Sequence, residues 1–176
     1  MTDLDPEWRP LTTRKEARVL ESFTCTDDHP RTPGGRKLPH DRRWEWEAQR
    51  HLRQTSQLLQ EGDLLLAGLR SSEVVAAAHL QFDPTNEVLQ LFVAAAGVAL
   101  AGRRQGGNLA DQMLAAILAE GLHRATGLRC ANLVLTGKIH TRNTPSQLMV
   151  QRAGWEPYDA PSSDYQAWGL IVPLST

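Results

Sequence analysis

The chain reads VALAGRRQGGNLA over residues 98–110, where an apolar run ends and a strong helical pattern begins. The Gly-Gly pair lets the backbone turn sharply and lets successive N–H groups point the same way. The first turn of a helix adds free N–H donors and the positive end of the helix dipole. Together with the two arginines, these groups favour a phosphate or a pyrophosphate. The alternative is an ordinary strand-to-helix connection with Asn108 as its cap.

This turn belongs to neither of two common nucleotide-binding patterns. A P-loop would continue with Gly-Lys-Ser/Thr, and a dinucleotide site would read G-x-G-x-x-G; neither is present at 98–110. The turn is therefore interpreted from the elements around it.

Those elements follow from the spacing of apolar residues and turn residues. An edge strand at 8–12 opens the chain, and residues 24–40 carry five Pro or Gly and no apolar period, which predicts a long loop. The remaining pattern predicts helices over 14–23, 41–60, 108–124 and 146–152, and strands over 63–69, 74–82, 88–100, 133–135 and 166–174. This order predicts an α+β (mixed α/β) fold, in which helices cover one mostly antiparallel sheet.

Length and charge exclude several classes of protein. The 176 residues suit a single domain, and 19 basic against 20 acidic residues give a net charge of −1, which disfavours general nucleic-acid or membrane binding. No apolar run reaches the roughly 18 residues of a membrane span. Cys25 and Cys130 form neither a disulfide framework nor a zinc set, so we expect a reduced, cytoplasmic protein without a metal.

A second motif lies 40 residues after the first. It reads NTPSQLMVQRAGW over residues 143–155, after the strand predicted at 133–135. With the first motif it resembles the GNAT superfamily of N-acetyltransferases, whose signature is Arg/Gln-x-x-Gly-x-Gly/Ala followed by Asn-x-x-Ala/Ser and a Gly-aromatic pair. Asn108 departs from the usual Gly/Ala. The resemblance implies a twisted sheet with splayed strands, a helical acceptor side at 1–62 and a cofactor-binding core at 63–176.

The resemblance also implies a site for acetyl-CoA as co-substrate. Val98 and its neighbours would hold the pantetheine arm through the main chain, and Gly97-Val98 is compatible with a bulge at this level. Asn143 would reach the pantetheine amides, with Ser146 beside it. The residues implied at the pyrophosphate are Arg103, Arg104, Gln105, Gly106, Gly107, Asn108 and Leu109.

The catalytic groups usual in this superfamily are missing from their positions. A Tyr is usual seven residues after the helix Asn, where this chain has Val150, and a Glu is usual on the strand before the signature, where it has Phe92. His140 and Ser146 are the candidates in their place: His140 for water-relayed deprotonation of the amine, and Ser146 for a hydrogen bond to the thiolate. A surface or loop position for His140, and a purely cofactor-positioning role for Ser146, are the alternatives.

Other polar and aromatic side chains have structural interpretations beside the catalytic ones. We expect His79 to be a paired histidine in the sheet, and Tyr158 and Tyr165 to be packing residues near the cleft. Because Glu45 and Glu47 are two residues apart on a helix, we expect at most one of them to face the cleft.

The segment 29–53 has seven Lys/Arg against three acids and carries Trp44 and Trp46. It either forms a solvated helix face with Trp44 in the core, or holds an anionic or nucleic-acid-linked amine. The leading hypothesis is acetyl transfer to an amine of a small molecule, peptide or protein. A non-catalytic acyl-CoA-binding module and an acetyltransferase for aminoacyl-tRNA are the alternatives, and a homodimer is common in such folds.

Overall fold

A computed structural model describes residues 5–103 and 108–174. Its strands are β1 (Glu7–Leu11), β2 (Leu64–Arg70), β3 (Glu73–Pro84), β4 (Val88–Val98), β5 (Asn132–His140), β6 (Glu156–Pro157) and β7 (Tyr165–Pro173). Its helices are α1 (Arg14–Ala17), α2 (Arg43–Leu58), α3 (Asn108–Gly127) and α4 (Thr144–Arg152), with 3-10 turns at Arg18–Leu20 and Leu100–Gly102.

The strands of these described residues form one sheet in the order β1-β2-β3-β4-β5-β7-β6. Every neighbouring pair is antiparallel except β4 with β5, which is parallel. The predicted mostly antiparallel sheet flanked by helices is confirmed.

Helices cover both faces of the sheet because the central strands are apolar on both sides. On β2, Leu64 and Leu66 pack toward α3, whereas Leu65 and Ala67 pack toward α1 and α2. Two hydrophobic cores result, one on each face of the sheet, which is the layered arrangement that buries a sheet with two apolar faces.

Local signals explain where the predicted boundaries shift. The first helix was expected over 14–23, but its α-helical part is the single turn of α1, which a capping box between Thr13 and Glu16 starts. The chain then tightens into the 3-10 turn Arg18–Leu20 and turns back at Phe23. β5 is longer than the predicted 133–135. Buried and less buried residues alternate along Asn132–His140, so polar side chains on the less buried face hid the strand from a search for a continuous apolar run.

Gly121 sets the distance between α3 and the sheet. A Cβ at this position would lie 2.9 Å from Leu91 Cδ1 and 3.0 Å from Leu133 Cδ2, and both leucines are fully buried. The helix therefore approaches β4 and β5 more closely than a larger residue allows.

We expect Gly121→Val to lower the free energy of unfolding by about 1–3 kcal/mol, because the added methyls overpack the core. The matched control is Gly127→Val at the end of the same helix, where a Cβ meets nothing within 4 Å. Urea denaturation measures both; an equal effect of the two substitutions would contradict the packing argument.

Candidate functional site

The site begins where two parallel strands part. β4 and β5 pair from Val88 with Asn132 up to Val93 with Gly137. Beyond that point β4 stays paired with β3 alone, and β5 with β7 alone. A cleft of about 1200 Å³ opens between the parted ends, and α2, α3 and α4 contribute to its walls.

A β-bulge lies at the point of parting. His79 of β3 pairs with Ala95, but Leu80 pairs with Val93, so Ala94 is an extra residue on β4. Bulges bend a strand and increase its local twist. Gly97 and Val98, where the sequence is compatible with a bulge, pair regularly with Ala77 and Ala76, and the irregularity lies at Ala94.

The free edge of β4 offers main-chain groups to the cleft. Ala99 N donates to Val75 O at 2.8 Å, so by the two-residue alternation of antiparallel pairing Gly97 and Ala95 also bond toward β3. The N–H and C=O groups of Ala96 and Val98 therefore point at the cleft. Arg103 Nε reaches Val98 O at 3.4 Å.

The start of α3 lies at one end of the cleft. Asn108 is the first residue of the helix, and Leu109, 2% exposed, lines the cleft. Arg103 is ion-paired to Glu45 of α2, with Nη1 2.7 Å from Oε1. The other residues implied at the pyrophosphate (Arg104, Gln105, Gly106 and Gly107) lie outside the described residues.

The start of α4 forms the opposite wall. Asn143 is the N-cap, and its Oδ1 accepts the N–H of Ser146 at 3.4 Å. Both residues line the cleft. Because Oδ1 is occupied by the cap, the Nδ2 group is the part of the Asn143 side chain that can donate to a ligand.

Both glutamates of α2 line the cleft, so the expectation that at most one faces it is wrong. The cleft runs beneath the helix and meets both of its flanks. On one flank Glu45 accepts hydrogen bonds from Thr26 Oγ1 (2.9 Å) and Arg103. On the other flank Glu47 accepts from Arg43 Nε (2.7 Å) and from the Tyr165 hydroxyl.

His140 lies among aromatic rings at the end of β5. It is 8% exposed, its ring centroid is 4.6 Å from that of Trp44 and 5.2 Å from that of Tyr165, and it lines the cleft. Its Nδ1 accepts the backbone N–H of Arg142 at 3.1 Å. The proton of the neutral ring is therefore on Nε2, and while this bond stays the ring can donate a hydrogen bond from Nε2 but has no free lone pair.

No protein-family model and no curated protein sequence matches the chain. Solved structures do match it. The GNAT domain of S. lividans PAT is 14% identical, with 94% of this chain and 89% of that chain covered and a TM-score of 0.58. A protein of the GNAT family from Desulfovibrio desulfuricans is 15% identical, with 95% and 98% covered and a TM-score of 0.56.

The NatC complex bound to Gag peptide and CoA is 14% identical, with 98% of this chain and 100% of that chain covered and a TM-score of 0.52. This chain has the GNAT fold. The parted strands of the sheet confirm the splayed arrangement predicted from the two motifs.

The two positions that are apolar in this chain face the GNAT cleft. Val150 is 4% exposed and Phe92 36% exposed, and both line the cleft. They supply neither an acid nor a base. Groups that could act as an acid or a base in the cleft include Glu45, Glu47 and His51 on α2, and His140 and Tyr165 at the paired ends of β5 and β7.

One group of ionisable side chains links α2 to the sheet. His51 of α2 bonds His79 of β3, which in turn bonds Asp63 at the start of β2. The prediction of a paired histidine identified His79 alone. The partners of His79, His51 and Asp63, lie 28 and 16 residues away in the sequence, so no local pattern connects them. The one signal in the sequence is that His51 follows Glu47 by one helical turn, which puts both on the same side of α2.

Two buried indole groups supply a test of whether a ligand fits the GNAT cleft. Among the described residues, Trp44 Nε1 and Trp168 Nε1 are the buried side-chain polar atoms without a hydrogen-bond partner, and both residues line the cleft. A buried donor left unpaired costs about 1–3 kcal/mol. A ligand with acceptor groups, such as the amides and phosphates of CoA, suits such a cleft.

Residues 5–103 and 108–174 contain neither a metal-binding cluster nor a membrane-spanning helix. There, no group of three or more His, Cys, Asp or Glu is arranged to hold a metal ion, and Asp27-Asp28-His29 forms no such group. No helix in this part of the chain is long and apolar enough to cross a bilayer.

Tyr165 and Glu47 shift each other's ionisation. Burial, and then the hydrogen bond to Glu47, raise the pKa of Tyr165 to about 12. Partial burial by itself raises the pKa of Glu47, but the hydrogen bonds from Tyr165 and Arg43 outweigh it and hold that pKa below its usual value.

A spectrophotometric titration at 295 nm tests this pair, because the chain has two tyrosines. We expect one phenol to ionise near pH 12 and this step to vanish in Tyr165→Phe. A raised phenol pKa stabilises the fold below the unfolded value of about 10. Wild-type protein should therefore lose this contribution between about pH 10 and 12, whereas Tyr165→Phe has none to lose; an unchanged titration in the variant would refute the assignment.

Proposed function

We propose that this chain is an N-acetyltransferase that moves an acetyl group from acetyl-CoA to an amine. The observation that carries the proposal is the parting of β4 from β5 beyond Val93 and Gly137. It leaves the main-chain groups of Ala96 and Val98 facing a cleft wide enough for an extended ligand. The NatC structure of the same fold is bound to CoA.

The cofactor end of the cleft is assigned to the start of α3. We propose that the pyrophosphate binds the main chain over 104–109, where the helix start adds N–H donors and a positive dipole. Arg103 contributes charge, and its ion pair with Glu45 fixes its position before the cofactor arrives. The pantetheine arm would then lie along Val98 and Ala96, with Asn143 and Ser146 on the other side.

Acetyl transfer requires a free amine, a donor to the developing oxyanion and a proton for the leaving thiolate. Acetyl-CoA supplies the activated acetyl group as a thioester. His140, whose Nε2 carries a proton, is assigned as a hydrogen-bond donor, and Ser146 as a second donor. Burial raises the pKa of the Cys25 thiol to about 11, so this cleft residue offers no thiolate for a covalent route.

The acceptor side is assigned to residues 1–62, because α2 forms the wall opposite the sheet. Its basic residues are largely engaged within the chain: Arg42 pairs with Asp27 and Glu45, and Arg43 with Glu47. Their charge is thus partly neutralised, which favours an amine of a small molecule, peptide or protein over a nucleic-acid-linked one. We place such a single-domain enzyme in the cytoplasm.

A non-catalytic acyl-CoA-binding module is the second candidate, and the apolar residues at Val150 and Phe92 favour it. Release of CoA thiol from acetyl-CoA, measured with a panel of small amines, amino acids and peptides, separates the two. Thiol release that depends on one amine supports the enzyme. Calorimetric binding of acetyl-CoA without turnover on any amine supports the module.

We expect Asn143→Asp to weaken acetyl-CoA binding about tenfold in calorimetry. Aspartate caps α4 as well as asparagine does, but it loses the Nδ2 donor and adds negative charge near an anionic ligand. The thermal midpoint should stay at or above that of the wild type. Gln151→Glu, on an exposed face of the same helix, is the control for charge alone. Equal affinity in all three proteins would exclude Asn143 from the cofactor site.

We expect His140→Ala to lower kcat by at least about tenfold near neutral pH, because removal of one preorganised hydrogen-bond donor to a developing oxyanion typically costs about 10²–10³ of rate. Acetyl-CoA affinity should change little. His123→Ala, which removes an exposed histidine of α3, is the matched control. Unchanged kinetics in His140→Ala would remove this residue from the mechanism.

A further inference from the structure

Three ionisable side chains form a continuous hydrogen-bonded chain between the sheet and the cleft. Asp63 Oδ2 lies 3.0 Å from His79 Nε2, and His79 Nδ1 lies 2.8 Å from His51 Nε2. His79 is 2% exposed, and the Asp63 side chain 9% exposed. His51 lies at the other end, half-buried on α2, and lines the cleft. We call these three residues the Asp63–His79–His51 chain.

The hydrogen bonds fix which nitrogen carries each proton. An ionised Asp63 can only accept, so His79 Nε2 donates to it. His79 Nδ1 then has the lone pair and accepts the proton of His51 Nε2. It follows that His51 Nδ1 is the free basic nitrogen of the chain.

The chain reaches the cleft at the level where the strands part. His79 pairs with Ala95, the residue after the bulge at Ala94. Consider a ligand whose phosphates lie at the start of α3 and whose arm runs along Val98 and Ala96. This ligand extends toward Ala94, and the four residues of strand from Val98 to Ala94 span about 13 Å. Its reacting end therefore comes to the region that His51 faces, on the acceptor side of the sheet.

We propose that His51 is the general base that takes the proton from the acceptor amine, that His79 positions it and accepts its Nε2 proton, and that the Asp63 carboxylate stabilises the resulting His79 cation. This inference rests on the proposed acetyltransferase function. Among the ionisable residues of the cleft wall on α2, Glu45 and Glu47 accept hydrogen bonds from arginines and so are less available as bases.

The protons and bonds of this step balance. The ammonium form of the acceptor gives one proton to His51 Nδ1, and the Nε2 proton moves to His79 Nδ1, which leaves His79 as a cation beside the Asp63 carboxylate. The amine lone pair then forms the new C–N bond while the C–S bond of the thioester breaks. The second amine proton goes to the thiolate, and the chain returns its proton to water.

The surroundings keep His51 in its basic form at neutral pH. Burial, and then the neighbouring His79, lower the pKa of His51. The groups that face it are His79 on β3, which it contacts directly, and Asp63 beyond His79; Glu47 lies one helical turn before it on α2. A lowered pKa means that Nδ1 is unprotonated at pH values where an unperturbed histidine is partly charged.

The test is the thiol-release assay with the amine of the panel that gives the highest turnover. His51→Gln keeps a donor for His79 Nδ1 but offers no base, so we expect kcat to fall about 10²–10⁴-fold with an unchanged thermal midpoint and unchanged acetyl-CoA affinity. His51→Ala should be partly rescued by added imidazole. Asp63→Asn removes the charge that stabilises cationic His79 and should lower kcat at least about tenfold.

The pH profile distinguishes a general base from a residue that only links α2 to β3, because a purely structural role of His51 would not affect it. In the wild type, kcat/KM should rise with pH through the lowered pKa of His51, and this inflection should vanish in His51→Gln. His123→Gln, on an exposed position of α3, is the matched control and should behave as the wild type.

Each outcome decides between the two proposals. Wild-type turnover with wild-type kinetics and pH profile in His51→Gln overturns the general-base assignment and leaves the acetyltransferase intact. Absence of thiol release with every amine overturns the acetyltransferase, and the assignment with it. If Asp63→Asn fails to fold, His51→Gln and the imidazole rescue of His51→Ala decide the question.

Discussion

The loss of pairing between β4 and β5 after Val93 and Gly137 is the constraint on which the rest of the structure depends. In a sheet, the backbone N–H and C=O groups of each strand normally form hydrogen bonds with the neighbouring strands. A buried N–H or C=O group without a hydrogen-bond partner costs free energy. Here one extra residue, Ala94, lies on β4 at the point of parting. The strands beyond it keep their outer partners, so the fold retains its sheet while it exposes a row of donors and acceptors along a cleft.

The acceptor side of this cleft is held in place by polar contacts that cross between elements. Gln49 of α2 is 1% exposed, and its Oε1 accepts the N–H groups of Cys25 (2.8 Å) and Thr26 (3.2 Å). Arg53 binds Phe23 O at 2.7 Å. Gly97 allows the close approach of this segment, since a Cβ there would lie 3.2 Å from Cys25 Sγ. The start of the long loop is therefore fixed against β4, and α2 has one position over the cleft.

The sequence carried enough information for the order of the main elements, and it placed Asn143 and Ser146 at a helix start that lines the cleft. Apolar periodicity identified α2, α3 and the strands other than the two-residue β6, and Asn143 caps α4 beside the cleft. The position of the β-bulge could not be predicted from the sequence, because a bulge depends on the register between two strands. Residues 94–96 are three consecutive alanines, so nothing in the sequence distinguishes Ala94 as the residue without a partner on β3.

Contacts between side chains that are far apart in the sequence could not be predicted from local patterns. The spacing of Glu45 and Glu47 on a helix correctly put them on different flanks, but the cleft is wide enough to meet both flanks. Tyr165 reaches Glu47 across 118 residues of sequence. Such pairs require knowledge of which strand end lies beneath which helix turn.

The buried pair of Asp63 and His79 is the part of this fold that packing explains least well. A link between α2 and β3 needs no ionisable groups, since replacing buried ion pairs with apolar side chains is often neutral or stabilising. An aspartate held beside a histidine supplies something that leucines cannot, namely a place for a proton that arrives from outside. Val150 and Phe92 supply neither an acid nor a base to the cleft. A neutral His79 that is bonded both to the Asp63 carboxylate and to the cleft-lining His51 provides such a place, which is what the proposed general base requires.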